Sequence, residues 1–152
     1  MFTIKEQANN FKNAAERCDE MRPLPNGTVE WLPIPYCVNA SFACELYLKF
    51  ILDAEKIERG KTHYLNDLFY LLPNKIQDDV KKRVENDFKK MNENVGFETC
   101  LMKSGKMFVD WRYLHEKIAE LKENENITGN IAFMKSLLNS LYYTVETKKG
   151  KT

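Results

Sequence analysis

The stretch from residue 38 to residue 52 restricts the fold of this chain more than any other part of the sequence. Only four of its residues are polar: Asn39, Ser41, Glu45 and Lys49. A helix that is apolar around most of its circumference lies in the middle of a helical bundle. Glu45 and Lys49 are four residues apart, in the order that favours an ion pair on a helix. The stretch therefore predicts a central helix of about residues 35–55 whose charges are neutralised inside the protein.

The spacing of apolar residues predicts helices along almost the whole chain. Outside the central helix, the predicted helices cover about residues 3–21, 62–72, 74–91, 98–121 (in two pieces joined near Ser104 and Gly105) and 131–145. Thr62 is the predicted N-cap of the second of these helices. No segment alternates polar and apolar residues in the way that a half-buried strand requires. We therefore predict an all-α fold, a single compact bundle of five to six helices over residues 1–146, followed by a polar tail at residues 147–152.

Two segments interrupt the helical pattern. The segment RPLPNGTVEWLP, at residues 22–33, contains three prolines and a glycine, which are typical of irregular structure. We predict a loop there, with Trp31 and Leu32 packed onto the core. The segment ENENITGN, at residues 123–130, is the second predicted loop.

Positive and negative charges are nearly balanced, and the formal net charge is +1. No overall field therefore draws the chain to nucleic acid or to an anionic membrane. The predicted helix at residues 74–91 interleaves its lysines and arginine with acidic residues, so we predict a solvated face there rather than an RNA-binding one. Apolar residues make up 43% of the chain, which is too many for a disordered protein.

No targeting or membrane segment is visible in the sequence. The N-terminal stretch FTIKEQANNFK carries charges where a signal peptide has its apolar core. The longest uncharged run, WLPIPYCVNASFAC, contains two prolines and is shorter than the roughly 20 residues that a bilayer requires. We therefore expect a cytoplasmic protein without a membrane contact.

The cysteines and histidines do not form a metal-binding motif. Four cysteines are present without any C-x-x-C spacing, namely Cys18, Cys37, Cys44 and Cys100, and the chain has two histidines. A cysteine-rich zinc site needs more closely spaced ligands than these. We expect reduced, buried thiols, with no metal and no cofactor.

Three segments, in this order, resemble bacterial members of the HEPN superfamily (higher eukaryotes and prokaryotes nucleotide-binding). They are LPIPYCVNASFACELYLKFIL, GKTHYLNDLF and FVDWRYLHE, and the resemblance covers about residues 30–120. It implies a compact helical bundle that is often dimeric. It also implies one of two roles, because the family includes metal-independent endoribonucleases of toxin–antitoxin and phage-defence systems as well as non-catalytic modules that bind nucleotides, RNA or protein partners.

The catalytic members of this family carry an arginine that is followed, after four to six intervening residues, by a histidine. In this chain Arg59 precedes His63 with three residues between them, and Arg112 precedes His115 with two. The predicted last helix contains neither arginine nor histidine. The catalytic motif therefore has no match here, which favours a non-catalytic member.

A small set of polar residues is available for chemistry. It consists of Asn39, Glu45, Lys49, His63, Arg112, Tyr113 and Glu116 as a binding or structural network, with Arg112, His115 and His63 as the candidate catalytic residues. In one interpretation the set is a hydrogen-bonded network that fixes the register of the helices, because buried charges need partners. In the other, Arg112 and His115 act on RNA from one helical turn, with His63 or Glu45 orienting them. We favour the network, and we expect His115 to pack on the core.

The sequence thus predicts a non-catalytic HEPN-like module that binds a protein partner, a nucleotide or RNA. We expect a homodimer that works in a toxin–antitoxin or phage-defence setting. The alternative is a metal-independent endoribonuclease with an atypical arginine and histidine pair.

Overall fold

The computed structural model describes residues 1–121 and 130–148 of the chain. Those residues contain the helices α1 (Ile4–Asp19), α2 (Pro33–Ala54), α3 (Leu65–Tyr70), α4 (Asn74–Lys90), α5 (Phe97–Ser104), α6 (Met107–Arg112), α7 (Leu114–Glu120) and α8 (Ile131–Lys148). They also contain two short strands, β1 (Arg22–Pro23) and β2 (Val29–Glu30). The predicted loop at residues 123–130 lies outside the described residues except for Asn130, and so does the predicted tail beyond Lys148.

The helical class is confirmed, but the described residues hold eight helices rather than five or six. One reason is that the segment at residues 98–121, expected in two pieces, contains parts of three helices. The backbone leaves helical geometry at Lys106 (φ −106°, ψ 13°) and again at Tyr113 (φ −112°, ψ 36°). Apolar spacing alone does not report such breaks at single residues.

Helix α2 lies at the centre of the bundle, as predicted, and packs against α1, α3, α6 and α8. Its buried residues occur on all sides of the helix: Tyr36, Cys37, Ala40, Ser41, Ala43, Cys44, Glu45, Leu46, Tyr47, Leu48, Ile51 and Leu52. A helix with neighbours on most sides has little contact with water, and this accounts for its small number of polar residues.

Helix α1 lies directly against α2 and begins with a capping box. The N–H of Glu6 donates to Thr3 Oγ1 at 3.2 Å, and the N–H of Thr3 donates to Glu6 Oε2 at 2.8 Å. The hydrogen bonds that the N–H and the hydroxyl of Thr3 donate to Glu6 Oε2 lower the pKa of the Glu6 carboxyl. Ala8 and Ala15 are fully buried and allow the two helices to approach closely. Ile4, Phe11 and Cys18 also pack against the core, so the helix predicted from the apolar spacing is confirmed.

The residues between α1 and α2 form a small antiparallel hairpin rather than an irregular loop. Gly27 has a φ of 82° in its turn, a conformation that glycine adopts without steric cost. The N–H of Leu24 donates to the carbonyl of Thr28 at 2.8 Å. The expectation that Trp31 and Leu32 pack on the core is wrong, since both are exposed. The hairpin is held by its own hydrogen bonds and does not depend on contacts with the core.

The start of α3 is fastened to the turn between α5 and α6. The N–H of Leu65 donates to the carbonyl of Gly105 at 3.2 Å. A Cβ at Gly105 would lie 2.2 Å from Asn66 Oδ1, so this close approach requires glycine unless Asn66 moves. Thr62, expected to be the N-cap of this helix, lies before the actual N-cap, Tyr64. Thr62 Oγ1 instead accepts a hydrogen bond from the N–H of Tyr64 at 3.2 Å.

Aromatic packing joins α3, α5 and α8 on another side of the bundle. The ring centroid of Phe97 lies 5.2 Å from that of Phe69 and 5.5 Å from that of Phe133. All three side chains are buried. Within the described residues, no helix combines the length and the apolar character that a membrane-spanning segment needs.

Candidate functional site

The carboxylate of Glu45 holds two cationic or polar partners in the interior of α2. Glu45 Oε1 accepts a hydrogen bond from Lys49 Nζ at 2.6 Å and lies 2.8 Å from His63 Nδ1. Because an ionised carboxylate only accepts hydrogen bonds, His63 Nδ1 carries the proton in this contact. Three residues of the predicted network are therefore brought together, although His63 comes from the segment that precedes α3.

This cluster runs from the interior to the surface of the protein. Glu45 is 2% exposed, whereas the imidazole of His63 is 69% exposed. The ammonium group of Lys49 lies beside both, 2.6 Å from Glu45 Oε1 and 3.3 Å from His63 Nδ1. The buried carboxylate thus fixes the position of a histidine whose ring reaches solvent.

An aromatic ring follows this histidine in the chain, and a second cation contacts that ring. The ammonium group of Lys106, in the turn before α6, lies 4.9 Å from the ring centroid of Tyr64. Tyr64 is 42% exposed. We call the group formed by His63, Tyr64 and Lys106 the His63 surface. A lysine over an aromatic ring is a cation–π contact, which holds both side chains in place at a surface.

The remaining residues of the predicted network lie elsewhere. Asn39 Nδ2 donates to the carbonyl of Pro35 at 2.8 Å, within α2, and has no bond to the cluster. The guanidinium of Arg112 lies 4.7 Å from the ring of Phe108 and 4.9 Å from that of Tyr113, with no ion pair to Glu45 among the described residues.

The expectation that His115 packs on the core is wrong, because its side chain is 80% exposed. Its nearest charged group is Glu116, whose Oε1 lies 3.9 Å from His115 Nε2. The break at Tyr113 explains this difference, since it separates α6 from α7 and changes the direction in which later side chains point. Arg112 and His115 consequently belong to different helices rather than to one helical turn.

Sequence reasoning missed a second polar cluster, where α4 meets α8. Arg83 Nε donates to Ser140 Oγ at 2.9 Å, and Arg83 Nη2 donates to the carbonyl of Ser140 at 3.3 Å and to Thr144 Oγ1. The guanidinium also lies 4.9 Å from the ring of Tyr143. Burial lowers the pKa of Arg83, and the negative charge of Asp79 opposes this shift. The signal in the sequence is the spacing of Ser136, Ser140 and Thr144, four residues apart along a helix that is apolar at most of its other inner positions.

A cleft of about 440 Å³ opens beside Arg83, between α4, α8 and the end of α2. Its charged and hydroxyl lining includes Glu55, Lys75, Asp79, Arg83, Thr144 and Lys148. Glu55 forms an ion pair with Lys148 across one side of this cleft. The cleft shares no residue with the His63 surface.

No protein-family model matches the chain, and neither a curated protein nor a solved structure matches it. In the part of the chain that the structure describes, no group of three or more His, Cys, Asp and Glu side chains is arranged to hold a metal ion. The function therefore has to be inferred from the geometry of the two clusters.

Proposed function

We propose that this protein is a non-catalytic, HEPN-like helical module of the cytoplasm that binds RNA or a nucleotide through the His63 surface. The segments that carry the resemblance support this proposal, because they fall in α2, in α3 and its preceding turn, and in α6 and the start of α7. Helix α2 packs against both α3 and α6, so these separate segments lie in one part of the bundle.

The observation that carries the proposal is an exposed tyrosine whose ring contacts the ammonium of Lys106 and which directly follows the exposed His63 in the chain. The ring of Tyr64 offers a flat surface for a base, and stacking on an aromatic side chain contributes about 1–3 kcal/mol per base. Lys106 supplies a positive charge at this ring for the phosphate of such a ligand, and the imidazole of the preceding His63 is open to solvent. Tyr64 and His63 are adjacent in the chain, and Glu45 fixes the imidazole before any ligand arrives.

The positions of Arg112 and His115 support the non-catalytic part of this proposal. Cleavage of RNA without a metal needs a base, a proton donor and a cation that converge on one phosphate. Arg112 is engaged with the rings of Phe108 and Tyr113, and His115 extends from a different helix into solvent. These two side chains make no direct contact.

Binding of a fluorescent single-stranded RNA and of a fluorescent adenine nucleotide tests the proposal by anisotropy. We expect Tyr64→Ala to weaken binding by about tenfold, because it removes the stacking surface. Lys106→Gln should weaken binding and lower its dependence on salt, as the loss of one phosphate contact does. Tyr113→Ala is the matched control, since Tyr113 is also 42% exposed but lies outside the His63 surface. Equal affinities for the parent, Tyr64→Ala and Lys106→Gln proteins would refute the proposal.

One observation favours the alternative, a metal-independent endoribonuclease with an atypical arginine and histidine pair. A histidine that is bound to a carboxylate through Nδ1 and open to solvent resembles the arrangement of a general acid–base catalyst. Incubating the protein with mixed RNA in the presence of EDTA tests this alternative. Cleavage that is abolished by His63→Ala or His115→Ala supports it, whereas intact RNA or undiminished cleavage in both variants rules it out.

Homodimerisation and a toxin–antitoxin or phage-defence setting enter this proposal through the family resemblance alone. A native mass measurement tests the first of these. A monomer at micromolar concentration would remove the dimer from the proposal and leave the His63 surface unaffected.

A further inference from the structure

The cleft between α4 and α8 carries two cations that lack a carboxylate partner in the described residues. Lys75 and Arg83 both line this cleft, and neither lies within 4.0 Å of an acidic group there. Lys148, by contrast, is paired with Glu55. Two cations without a carboxylate partner that line one concave surface are a favourable place for an anion, because no ion pair has to be broken for the anion to bind.

Arg83 is held in a fixed orientation by neutral groups. Its Nε and Nη2 atoms donate to Ser140 and Thr144, and its plane packs near the ring of Tyr143. Its Nη1 atom makes no hydrogen bond within the described residues. The guanidinium is thus positioned in advance while one of its nitrogens stays available to a ligand.

We propose that this cleft binds the phosphate group of a small phosphate monoester. A dianionic phosphate offers two negative charges to Lys75 and Arg83, whereas a single carboxylate offers one. The volume of about 440 Å³ falls within the range of about 300–1,000 Å³ that small-molecule sites occupy. The rest of the ligand contacts Pro73 and Ile76, which also line the cleft. This site is independent of the proposed function at the His63 surface.

The negative charge of Asp79 provides a substitution that should strengthen phosphate binding rather than weaken it. Asp79 lines the same cleft and its charge acts on Arg83, so it opposes an incoming anion. Removing that charge should strengthen the binding of phosphate, while removing either cation should weaken it.

Titration of the isotope-labelled protein with glycerol 3-phosphate, followed by NMR, measures this binding directly. We expect shifts confined to α4, α8 and the end of α2. We expect the dissociation constant to rise at least about tenfold in Arg83→Gln and about fivefold in Lys75→Gln, and to fall about threefold in Asp79→Asn. Lys75 is exposed, so its variant keeps the test valid even where Arg83→Gln destabilises the fold. Tyr64→Ala is the control that should leave this binding unchanged.

Two results would overturn the proposal. One is the absence of shifts at these helices at concentrations well above about 10 mM, where even a weak site is occupied. The other is a response to acetate as strong as the response to glycerol 3-phosphate, which would show that the cleft does not distinguish a dianion from a carboxylate. Loss of glycerol 3-phosphate binding would leave the RNA-binding result at the His63 surface untouched, so the two proposals fail separately.

Discussion

Helices α2 and α7 each carry a glutamate with a histidine nearby, and the two glutamates lie in opposite environments. Glu45 in α2 is 2% exposed and binds both Lys49 and His63, whereas the side chain of Glu116 in α7 is 62% exposed and approaches His115 only to 3.9 Å. Both glutamates have a histidine nearby, and both were candidates for one polar network. The comparison teaches that the residues around a charge, rather than the charge itself, decide whether it becomes part of the core.

The surroundings of the two glutamates account for this difference. Helix α2 has apolar residues on nearly every side and is enclosed by four other helices. Helix α7 has the sequence LHEKIAE and buries none of its residues. A short helix that begins after a break has too few apolar side chains to make a face of its own.

The largest expected difference between these two helices is in the reactivity of thiols. Burial raises the pKa of Cys37 in α2 to about 12 and raises that of Cys44 as well. Only the thiolate reacts, so at pH 8 the thiolate of Cys37 should be about a thousandfold rarer than that of an ordinary cysteine. In an Ile118→Cys variant, where position 118 of α7 is exposed, alkylation at the new thiol should be faster by at least this factor.

Peptide mapping by mass spectrometry measures both rates in the same sample. The rate at position 118 should increase as the pH rises from 7 to 9, while Cys37 stays unmodified in the folded protein. Comparable labelling of Cys37 and position 118 would contradict the central position of α2.

The next effect is on stability, and it concerns Glu45. Glu45→Ala leaves the largely buried ammonium of Lys49 without its carboxylate, which should lower the free energy of unfolding by about 3 kcal/mol. Urea denaturation measures this loss. Glu116→Ala in α7 is the matched control, and a change below about 0.5 kcal/mol is expected there.

A double variant sharpens this comparison. Glu45→Leu combined with Lys49→Met removes both charges, so it should recover much of the stability that Glu45→Ala loses. If Glu45→Ala and Glu116→Ala cost the same, the interior position of the Glu45 cluster would be wrong.

The smallest effect is expected from a single hydroxyl group. Tyr47 in α2 is fully buried and donates to Asn9 Oδ1 at 2.6 Å, so Tyr47→Phe should cost about 1 kcal/mol of stability. Tyr113→Phe, at the start of α7, removes a hydroxyl that has no hydrogen bond within the described residues and should leave stability unchanged. Calorimetry of the two variants distinguishes them, and equal melting temperatures would contradict the prediction.

The central part of the fold could be predicted from the sequence because its signals are long and redundant. The position of α2 follows from an apolar run of several turns. That of α1 follows from a regular apolar stripe, which consists of Ile4, Ala8, Phe11, Ala15 and Cys18. The pairing of Glu45 with Lys49 follows from their spacing on one helix. His63 lies in a different segment and reaches Glu45 only in the folded protein, so the spacing of residues along α2 does not predict this contact.

The remaining features depend on single residues or on contacts between distant segments. No proline or glycine marks the break at Tyr113 in the sequence. Because of this break, His115 is exposed to solvent and does not pack on the core. The contact of Arg83 with Ser140 joins residues 57 positions apart in the sequence. A mixed-charge helix such as α4 is ordinarily solvated, so only the polar strip on α8 points to this contact.

The absence of any buried residue in α7 has a consequence for how the sequence of this protein can change during evolution. Substitutions in the core of α2 must preserve volume, because each side chain is enclosed by others. Helix α7 is under no such constraint, so its residues can be exchanged for others of almost any size without disturbing the interior. If this chain acquires new partners, α7 is the part of its surface where new recognition can arise at the lowest cost to folding.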